Sequence, residues 1–350
     1  MAAKTVTYKL LRKLYEQHYI EPNESEEILQ DDSINEELFH FANLTRIKYS
    51  RKDIHLKALI EISNICNGTC FYCGLRSQNR EISRYKLKKE NIMKVAKEAI
   101  NLGYKTIVMQ SGQSNAYCVD ELCEIIKFIN ELGARITLSL GEKTYEEYLA
   151  FKKAGANRYL LRIECTDPQI YSKLHPKMSL ENRFKCLEYL QSLHYETGSG
   201  LIVGLPQQTC KTIANDIDFF KKSDFDMIGV GPFLPCENTP LSQHEHGDFL
   251  LSLKTMALIR LFMPNINIPA TTAMETLVKN GRLQALQCGA NVIMPAIADY
   301  EHRKQYKIYP NKATPDMNLN EQRDLIISQL STINSAISNE NGDSARFALR

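Results

Sequence analysis

The stretch KALIEISNICNGTCFYC, residues 57–73, joins an apolar run to three closely spaced cysteines. The run 57–63 is short and rich in Ile and Leu, which is typical of a buried strand. Cys66, Cys70 and Cys73 follow it, with three residues between the first two and two between the last two. The pattern predicts a reactive or metal-binding loop at the end of a strand.

Short β-rich runs alternate with longer amphipathic stretches from this point onward. The predicted strands are 57–63, 105–111, 135–140, 158–164, 197–204, 226–231, 267–271 and 290–295. The predicted helices are 88–102, 119–132, 144–154, 180–193, 210–222, 250–263, 275–286 and 320–337. Such alternation implies parallel pairing with right-handed crossovers, and eight units predict an α/β fold, a closed (β/α)8 TIM-type barrel. A seven-unit interpretation, without the weak strand 267–271, would give an open barrel.

The chain divides into three parts by pattern. Apolar residues at three- and four-residue steps predict an N-terminal helical arm over residues 1–50, with Ser25 suited to a helix start. The barrel is predicted over 51–310, where Gly103, Gly133 and Gly155 fall just past predicted helices. Residues 311–350 are predicted to form a helix and a loose, polar tail.

Composition excludes several classes of function. The 350 residues carry 43 Lys and Arg against 41 Asp and Glu, a net charge of +2, so we expect neither nucleic acid nor an acidic membrane surface as partner. No apolar run has the length to span a bilayer, and residues 1–17 lack the features of a secretory signal, so we expect a cytoplasmic protein. Most of the ten cysteines are scattered and are interpreted as reduced, partly buried residues; they are Cys118, Cys123, Cys165, Cys186, Cys210, Cys236 and Cys288.

Three thiols in one loop can surround a single inorganic centre. A structural zinc or a closed [4Fe–4S] cluster normally has four protein ligands, and the sequence has no fourth cysteine nearby. A [4Fe–4S] cluster held by three cysteines keeps one iron open for an exogenous ligand, which is useful for chemistry. A zinc site completed by a distant histidine is the alternative.

Polar residues fall at other predicted strand ends, where barrels of this type carry their chemistry. Thr137 and Ser139 would face one side, towards a polar ligand or as a hydrogen-bonded core pair. Arg162 and Glu164 also share a face, as a simple salt bridge or as a site for a ligand with both a carboxylate and an amine. Arg183 could clamp a carboxylate, or could be a solvated helix residue.

The C-x3-C-x2-C spacing, with aromatic Tyr72 before the last cysteine, resembles the motif of the radical S-adenosylmethionine (SAM) superfamily. The resemblance implies that the open iron binds the amine and carboxylate of SAM, and that reductive cleavage yields a 5′-deoxyadenosyl radical. The stretches YCGLR, TLSLGE, RYLLR, YETGSG, VGLP, GPFLP, IPATTAM and CGANVIMP resemble the HydE group of [FeFe]-hydrogenase maturases, over about residues 40–310.

The HydE resemblance implies an organometallic substrate, an iron–carbonyl–cyanide–cysteine complex made by a companion maturase, and an electron donor such as ferredoxin or flavodoxin. It implies that Cys66, Cys70 and Cys73 ligate one cluster. The residues that would contact SAM are Tyr72, Ser139, Glu164, Arg183 and Pro232. Those that would line the substrate cavity or its anion site are Gln110, Ser111, Thr137, Arg162, Met227, Thr271, Thr272, Met294 and Tyr306.

The chain departs from the HydE pattern at a few positions. Gln113 and Ser114 stand where that group usually has acidic residues, and Ile163 stands where it often has histidine. No cysteine follows Cys288, so the second cluster of some members has no ligands here. The departures leave open a HydE-like enzyme acting on an amino acid, as in the methylornithine synthase branch, or on another thiolate or metal complex. A non-catalytic iron–sulfur carrier is a third hypothesis.

Overall fold

A ring of parallel strands forms the centre of the protein in a computed structural model, which describes residues 2–313 and 315–347. Six strands, β2 to β7, pair in chain order, and β1 pairs with β8. The strands are β1 His55–Leu56, β2 Ala58–Ser63, β3 Thr106–Ser111, β4 Arg135–Ser139, β5 Arg158–Leu160, β6 Glu196–Val203, β7 Met227–Pro232 and β8 Val292–Ile293. Every pairing is parallel, as the alternation of strands and helices predicts.

Isolated bridges close the ring between β7 and β2. They are Met227–Asn267, Val230–Ala270, Pro269–Val292 and Leu59–Ala296. The segment 267–270 therefore occupies the seventh strand position, although it pairs too irregularly to form a continuous strand. The closed (β/α)8 barrel is confirmed, and the open seven-unit interpretation is wrong.

Helices precede the ring and surround it. The N-terminal helices are Ala2–Gln17, Pro22–Gln30 and Asn35–Ser50, with a 3-10 turn at Asp32–Ile34. Those within and after the ring are Lys89–Asn101, Val119–Glu131, Tyr145–Ala154, Pro168–Leu174, Leu180–Ser192, Cys210–Ser223, Phe249–Phe262, Thr272–Leu277, Gly281–Gln287, Tyr300–Gln305 and Leu319–Thr332. No described helix is long and apolar enough to cross a membrane.

Several boundaries differ from prediction for local reasons. Ser25 is buried inside a helix that starts at Pro22, because proline suits the first helical turn. The predicted helix 275–286 is two helices, and Asn280 between them has φ 60°. The short helices Pro168–Leu174 and Tyr300–Gln305 were not predicted. The three glycines after predicted helices do have positive φ, of 90°, 82° and 118°.

The C-terminal tail packs against the amino-terminal ends of the barrel strands. Asp343 pairs with the fully buried Arg158, and the backbone N–H of Ser344 donates to Glu196 across 2.9 Å. Ser344 itself is 1% exposed. The prediction of a loose tail is therefore wrong for residues 338–347, and its last three residues lie outside the described part of the chain.

Candidate functional site

A cavity of about 280 Å³ lies inside the ring, at the carboxyl-terminal ends of the strands. The predicted site residues that line it are Tyr72, Cys73, Gln110, Ser139, Arg162, Glu164, Pro232, Thr271, Thr272 and Met294. The predicted residues outside its lining are Cys66, Cys70, Ser111, Thr137, Arg183, Met227 and Tyr306. The structure thus brings residues from most of the strands and from the cysteine loop to one cavity.

The cysteine loop follows β2 and reaches the cavity at its last cysteine. Cys66, Cys70 and Cys73 are reduced and partly buried. The backbone N–H of Gly68 donates to Cys66 Sγ across 3.2 Å. Gly112, after β3, packs so closely that a Cβ there would lie 2.5 Å from Cys66 Cβ. Only glycine permits this approach, so residue 112 helps to seat the loop.

Burial and mutual proximity oppose ionisation of the thiols. Burial, together with neighbouring thiols, raises the pKa of Cys70 to about 11 and holds the pKa of Cys73 well above its usual value. Arg76 and Arg84 lie close enough to the thiols to favour the thiolates. Buried thiols that must act as thiolates need nearby positive charge, and an iron–sulfur cluster supplies it, so the loop fits such a cluster.

Arg84 holds the two ends of the cysteine loop together, although sequence reasoning assigned it no role. Its guanidinium donates to backbone carbonyls on both sides of the loop. The acceptors are Asn64 at 2.7 Å, Leu75 at 2.9 Å, Arg76 at 2.8 Å and Asn79 at 3.0 Å. The pair Arg84-Tyr85 is one more stretch that resembles the HydE group, and the resemblance implied no function for it.

Arg162 and Glu164 place opposite charges in the cavity wall. Arg162 Nε donates to Glu164 Oε2 across 3.0 Å, and Nη2 donates to the Leu201 carbonyl across 2.6 Å. A Cβ at Gly200 would lie 3.1 Å from Arg162 Nε, and one at Gly229 would lie 3.4 Å from Nη1. Gly200 on β6 therefore makes room for the guanidinium, whereas a Cβ at residue 229 would be an ordinary van der Waals contact.

Glu164 combines burial with an unusual backbone conformation. Its φ of 67° is in the left-handed region, and it forms an isolated parallel bridge with Leu201 beyond the end of β5. Burial raises the pKa of the Glu164 carboxyl, and Arg162 and Arg183 oppose that rise. Strained backbone and a buried charged side chain at a cavity wall are common features of functional sites.

Arg183 lies behind the cavity wall. Its Nε donates to Glu142 Oε1 across 2.7 Å, and its Nη1 donates to the Arg162 carbonyl across 2.6 Å. The solvated alternative is wrong, because the residue is buried. Arg183 thus supports the backbone that carries Arg162 and Glu164, and Glu142 is a partner that sequence reasoning did not assign to it.

The other predicted residues outside the cavity lining have local partners, with one exception. Ser111 Oγ donates to the Gly112 carbonyl across 2.8 Å, and a Cβ at Gly198 would lie 2.9 Å from Met227 Cε. Tyr306 lies below Lys312 Nζ, 5.0 Å from its ring centre. The exception is Thr137, which is 1% exposed and whose Oγ1 has no hydrogen-bond partner among the described residues. A hydrogen-bonded core pair with Ser139 is therefore not observed.

Among the lining residues that were not predicted, three have polar side chains. Glu61, on β2, lines the cavity together with Tyr309 and Lys312. Lys312 forms an ion pair with Glu61, whose side chain is 2% exposed. Glu61 was detectable as the one acidic residue within the first predicted strand, 57–63, but its partner lies far away in sequence.

The positions that depart from the HydE pattern lie off the cavity wall. Gln113 links the cysteine loop to the end of β4: its carbonyl accepts from Asn67 N–H across 2.7 Å, and its Oε1 accepts from Glu142 N–H across 3.2 Å. The Ser114 carbonyl accepts from Lys143 Nζ across 3.0 Å. Ile163 is fully buried in the hydrophobic core.

Within residues 2–313 and 315–347, no group of three or more His, Cys, Asp or Glu side chains is arranged to hold a single metal ion. A multi-iron cluster takes its thiolate ligands on different irons and needs no such convergence.

Comparison with known proteins identifies the family. A family model described as the radical SAM superfamily matches residues 60–220. The [FeFe] hydrogenase maturase subunit HydE of Thermotoga maritima is 45% identical over 312 residues, which are 89% of this chain and 89% of that protein. The chain belongs to the radical SAM superfamily of enzymes. Membership implies a [4Fe–4S] cluster and SAM. The family and the enzyme class predicted from the sequence are confirmed.

Further similarity extends to methylornithine synthases. The 3-methylornithine synthase of Methanosarcina acetivorans is 30% identical over 268 residues, 76% of this chain and 75% of that protein. The crystal structure of methylornithine synthase PylB superposes with a TM-score of 0.79 at 23% identity, over 94% of this chain and 97% of that one. The structural similarity confirms the fold.

Proposed function

We propose that the protein is a HydE-type maturase that cleaves SAM reductively and acts on an iron–carbonyl–cyanide–cysteine precursor of the [FeFe]-hydrogenase active site. The observation that carries the proposal is the cysteine loop at the cavity rim: Cys73 and Tyr72 line the same cavity as Arg162 and Glu164. The 45% identity to HydE supports the choice of substrate class.

In this proposal, Cys66, Cys70 and Cys73 hold one [4Fe–4S] cluster, which when bound supplies the electron for SAM cleavage. Four of the predicted SAM contacts, Tyr72, Ser139, Glu164 and Pro232, already line the cavity. The fifth, Arg183, does not line the cavity. It would support the site indirectly, through its hydrogen bonds to the Arg162 carbonyl and the Glu142 carboxylate.

The cavity wall suits a ligand with an amine and a carboxylate. The Glu164 carboxylate would accept from an ammonium group, and the Arg162 guanidinium would bind a carboxylate in charge-assisted hydrogen bonds. Thr271 and Thr272 add hydroxyl groups, and Met294 adds a polarisable thioether that suits a soft, metal-bearing substrate.

The departures from the HydE pattern do not change the cavity wall. Ile163 points into the core, and Gln113 serves a structural link between two loops. Gln113, Ser114 and Ile163 all lie off the cavity wall, which supports the organometallic substrate over an amino acid. Companion hydrogenase maturases and a ferredoxin or flavodoxin would be the partners, in the cytoplasm, with no role for nucleic acid or membrane.

Cys70→Ala tests the proposed cluster ligands. With SAM and reductant under anaerobic conditions, the reconstituted wild-type protein should form 5′-deoxyadenosine, and Cys70→Ala should form none. Cys118→Ala, at an exposed cysteine outside the loop, is the matched control and should retain activity. Normal turnover by Cys70→Ala would refute the ligand assignment.

A further inference from the structure

The segment 174–178, at the end of helix Pro168–Leu174, docks against the cysteine loop. The contacts are Phe71 N–H to the Leu174 carbonyl at 2.9 Å, Tyr72 Oη to His175 Nε2 at 2.7 Å, Thr69 Oγ1 to the Pro176 carbonyl, and Cys70 Sγ to Met178 Sδ at 3.9 Å. Consecutive residues of the loop thus meet one short segment from the other side of the barrel mouth.

The hydrogen bonds of His175 define the direction of its contact with Tyr72. His175 Nδ1 lies 3.0 Å from the Tyr171 carbonyl, which can only accept, so Nδ1 carries a hydrogen. Burial lowers the pKa of His175 to about 4, so the ring is neutral at pH 7 and Nε2 has a free lone pair. The Tyr72 hydroxyl therefore donates to His175 Nε2.

Packing fixes the His175 ring in this orientation. The ring stacks on Tyr171 with centroids 4.1 Å apart, and it meets the Tyr72 ring edge-on at 5.3 Å. His175 is 2% exposed, so water does not compete for its nitrogens. Lys177 has φ 70°, a left-handed conformation that turns the chain tightly between Pro176 and Met178, which both contact the loop.

We propose that His175 is a positioning residue: by accepting the Tyr72 hydrogen bond, it fixes the Tyr72 ring in the cavity wall and thereby shapes the surface on which SAM binds. The inference rests on the proposed cluster and SAM sites. His175 touches neither the cavity nor the thiols and acts through Tyr72 alone.

The test compares three substitutions in the full-length protein. His175→Leu removes the acceptor, His175→Gln keeps an acceptor on a side chain of similar reach, and Tyr72→Phe removes the donor. His244→Leu is the control, because it makes the same change at an exposed histidine. The measurements are iron per chain, the Kd of SAM, and the electron paramagnetic resonance spectrum of the reduced cluster with and without SAM.

We expect His175→Leu to load iron normally and to bind SAM more weakly, on the order of tenfold, because a buried hydroxyl loses its acceptor. The spectral change that SAM induces should also shrink. His175→Gln should restore most of both, and His244→Leu should match wild type. In a Tyr72→Phe background, His175→Leu should weaken SAM binding little further, since the two residues act through one hydrogen bond.

Wild-type SAM affinity and spectrum in His175→Leu would overturn the inference, as would an undiminished effect in the Tyr72→Phe background. If His175→Leu fails to load iron, the coupling between His175 and Tyr72 is measured from the Tm of the metal-free wild-type, single-variant and double-variant chains. Additive effects of the two substitutions on Tm would overturn the inference. A wild-type protein that loads iron without responding to SAM would contradict the proposed function itself, which separates the two failures.

Discussion

Arg162 Nη2 lies 2.9 Å from Glu164 Oε2, and both side chains line the barrel cavity. The two residues are separated by Ile163, which points into the core. Alternation along the chain thus places both charges on the cavity side, although Glu164 has a left-handed backbone. In this partly buried wall, each charge compensates the other.

Replacement of Arg162 by Lys should lower SAM-dependent turnover by about tenfold or more, because lysine cannot reproduce the planar donors that reach Glu164 and the Leu201 carbonyl. Formation of 5′-deoxyadenosine by the iron-loaded variant is the measurement. Lys185→Arg, on the outer part of helix Leu180–Ser192, is a control for a Lys–Arg exchange. Unchanged turnover in Arg162→Lys would show that charge alone suffices at this position.

Gly112→Ala should reduce iron loading, because the added methyl group would lie 2.5 Å from both Cys66 Cβ and the Ile65 carbonyl oxygen. Backbone and Cβ atoms cannot yield as the end of a flexible side chain can, so the loop must shift. Iron and sulfide per chain after reconstitution measure the effect. Gly229→Ala, whose methyl would meet nothing nearer than 3.4 Å, should load normally. Full loading of Gly112→Ala would contradict the close packing at Cys66.

Sequence patterns predicted the parts of the fold that depend on local periodicity. The apolar runs and the glycines that end helices correspond to the observed strands and helices, because both signals reflect residues close in sequence. The closing segment 267–270 was the weakest prediction, and it pairs only through isolated bridges. The tail was misjudged because its polar residues pair with Arg158 and Glu196, which are far away in the chain.

The site was predictable where a motif or strand end marks it. Ser139, Arg162 and Glu164 reach the cavity because they lie at or just after the carboxyl ends of strands. The Tyr72–His175 hydrogen bond was not predictable, since it joins residues 103 positions apart. No local pattern distinguishes such a histidine from an ordinary buried one.

The Glu61–Lys312 ion pair should stabilise the closed barrel mouth. Lys312→Met would leave the Glu61 carboxylate buried without its partner, and we expect a loss of about 3–5 kcal/mol in the free energy of unfolding. Adding Glu61→Gln should recover much of that loss, because the unpaired charge is then gone. Denaturant unfolding of the single and double variants checks this. Equal destabilisation by Lys312→Met with and without Glu61→Gln would contradict the pairing.

His55 should make the fold sensitive to acid. Burial lowers the pKa of His55 to about 3, whereas the unfolded chain has a value near 6.5. Because the unfolded chain binds a proton at His55 more tightly than the folded chain does, lowering the pH favours unfolding. The free energy of unfolding should therefore be unaffected by His55 above about pH 6.5 and should decrease as the pH falls from 6.5 towards 3. The loss at pH 5 should be about 2 kcal/mol relative to pH 7.5.

A His55→Gln variant isolates this contribution from that of the carboxyl groups. Its free energy of unfolding should fall less steeply than that of wild type between pH 7.5 and pH 5. If the free energy of unfolding falls equally steeply with pH in both proteins, the pKa of His55 is the same in the folded and the unfolded chain, which would contradict the prediction.

The most direct test of the proposed function is an anaerobic hydrogenase maturation mixture that lacks its own HydE. The iron-loaded protein is added with SAM and reductant, and Cys70→Ala serves as the inactive control. We expect active hydrogenase with the wild-type protein and none with Cys70→Ala. Formation of 5′-deoxyadenosine without active hydrogenase would contradict the maturase assignment and would point to an amino acid or another thiolate complex as substrate.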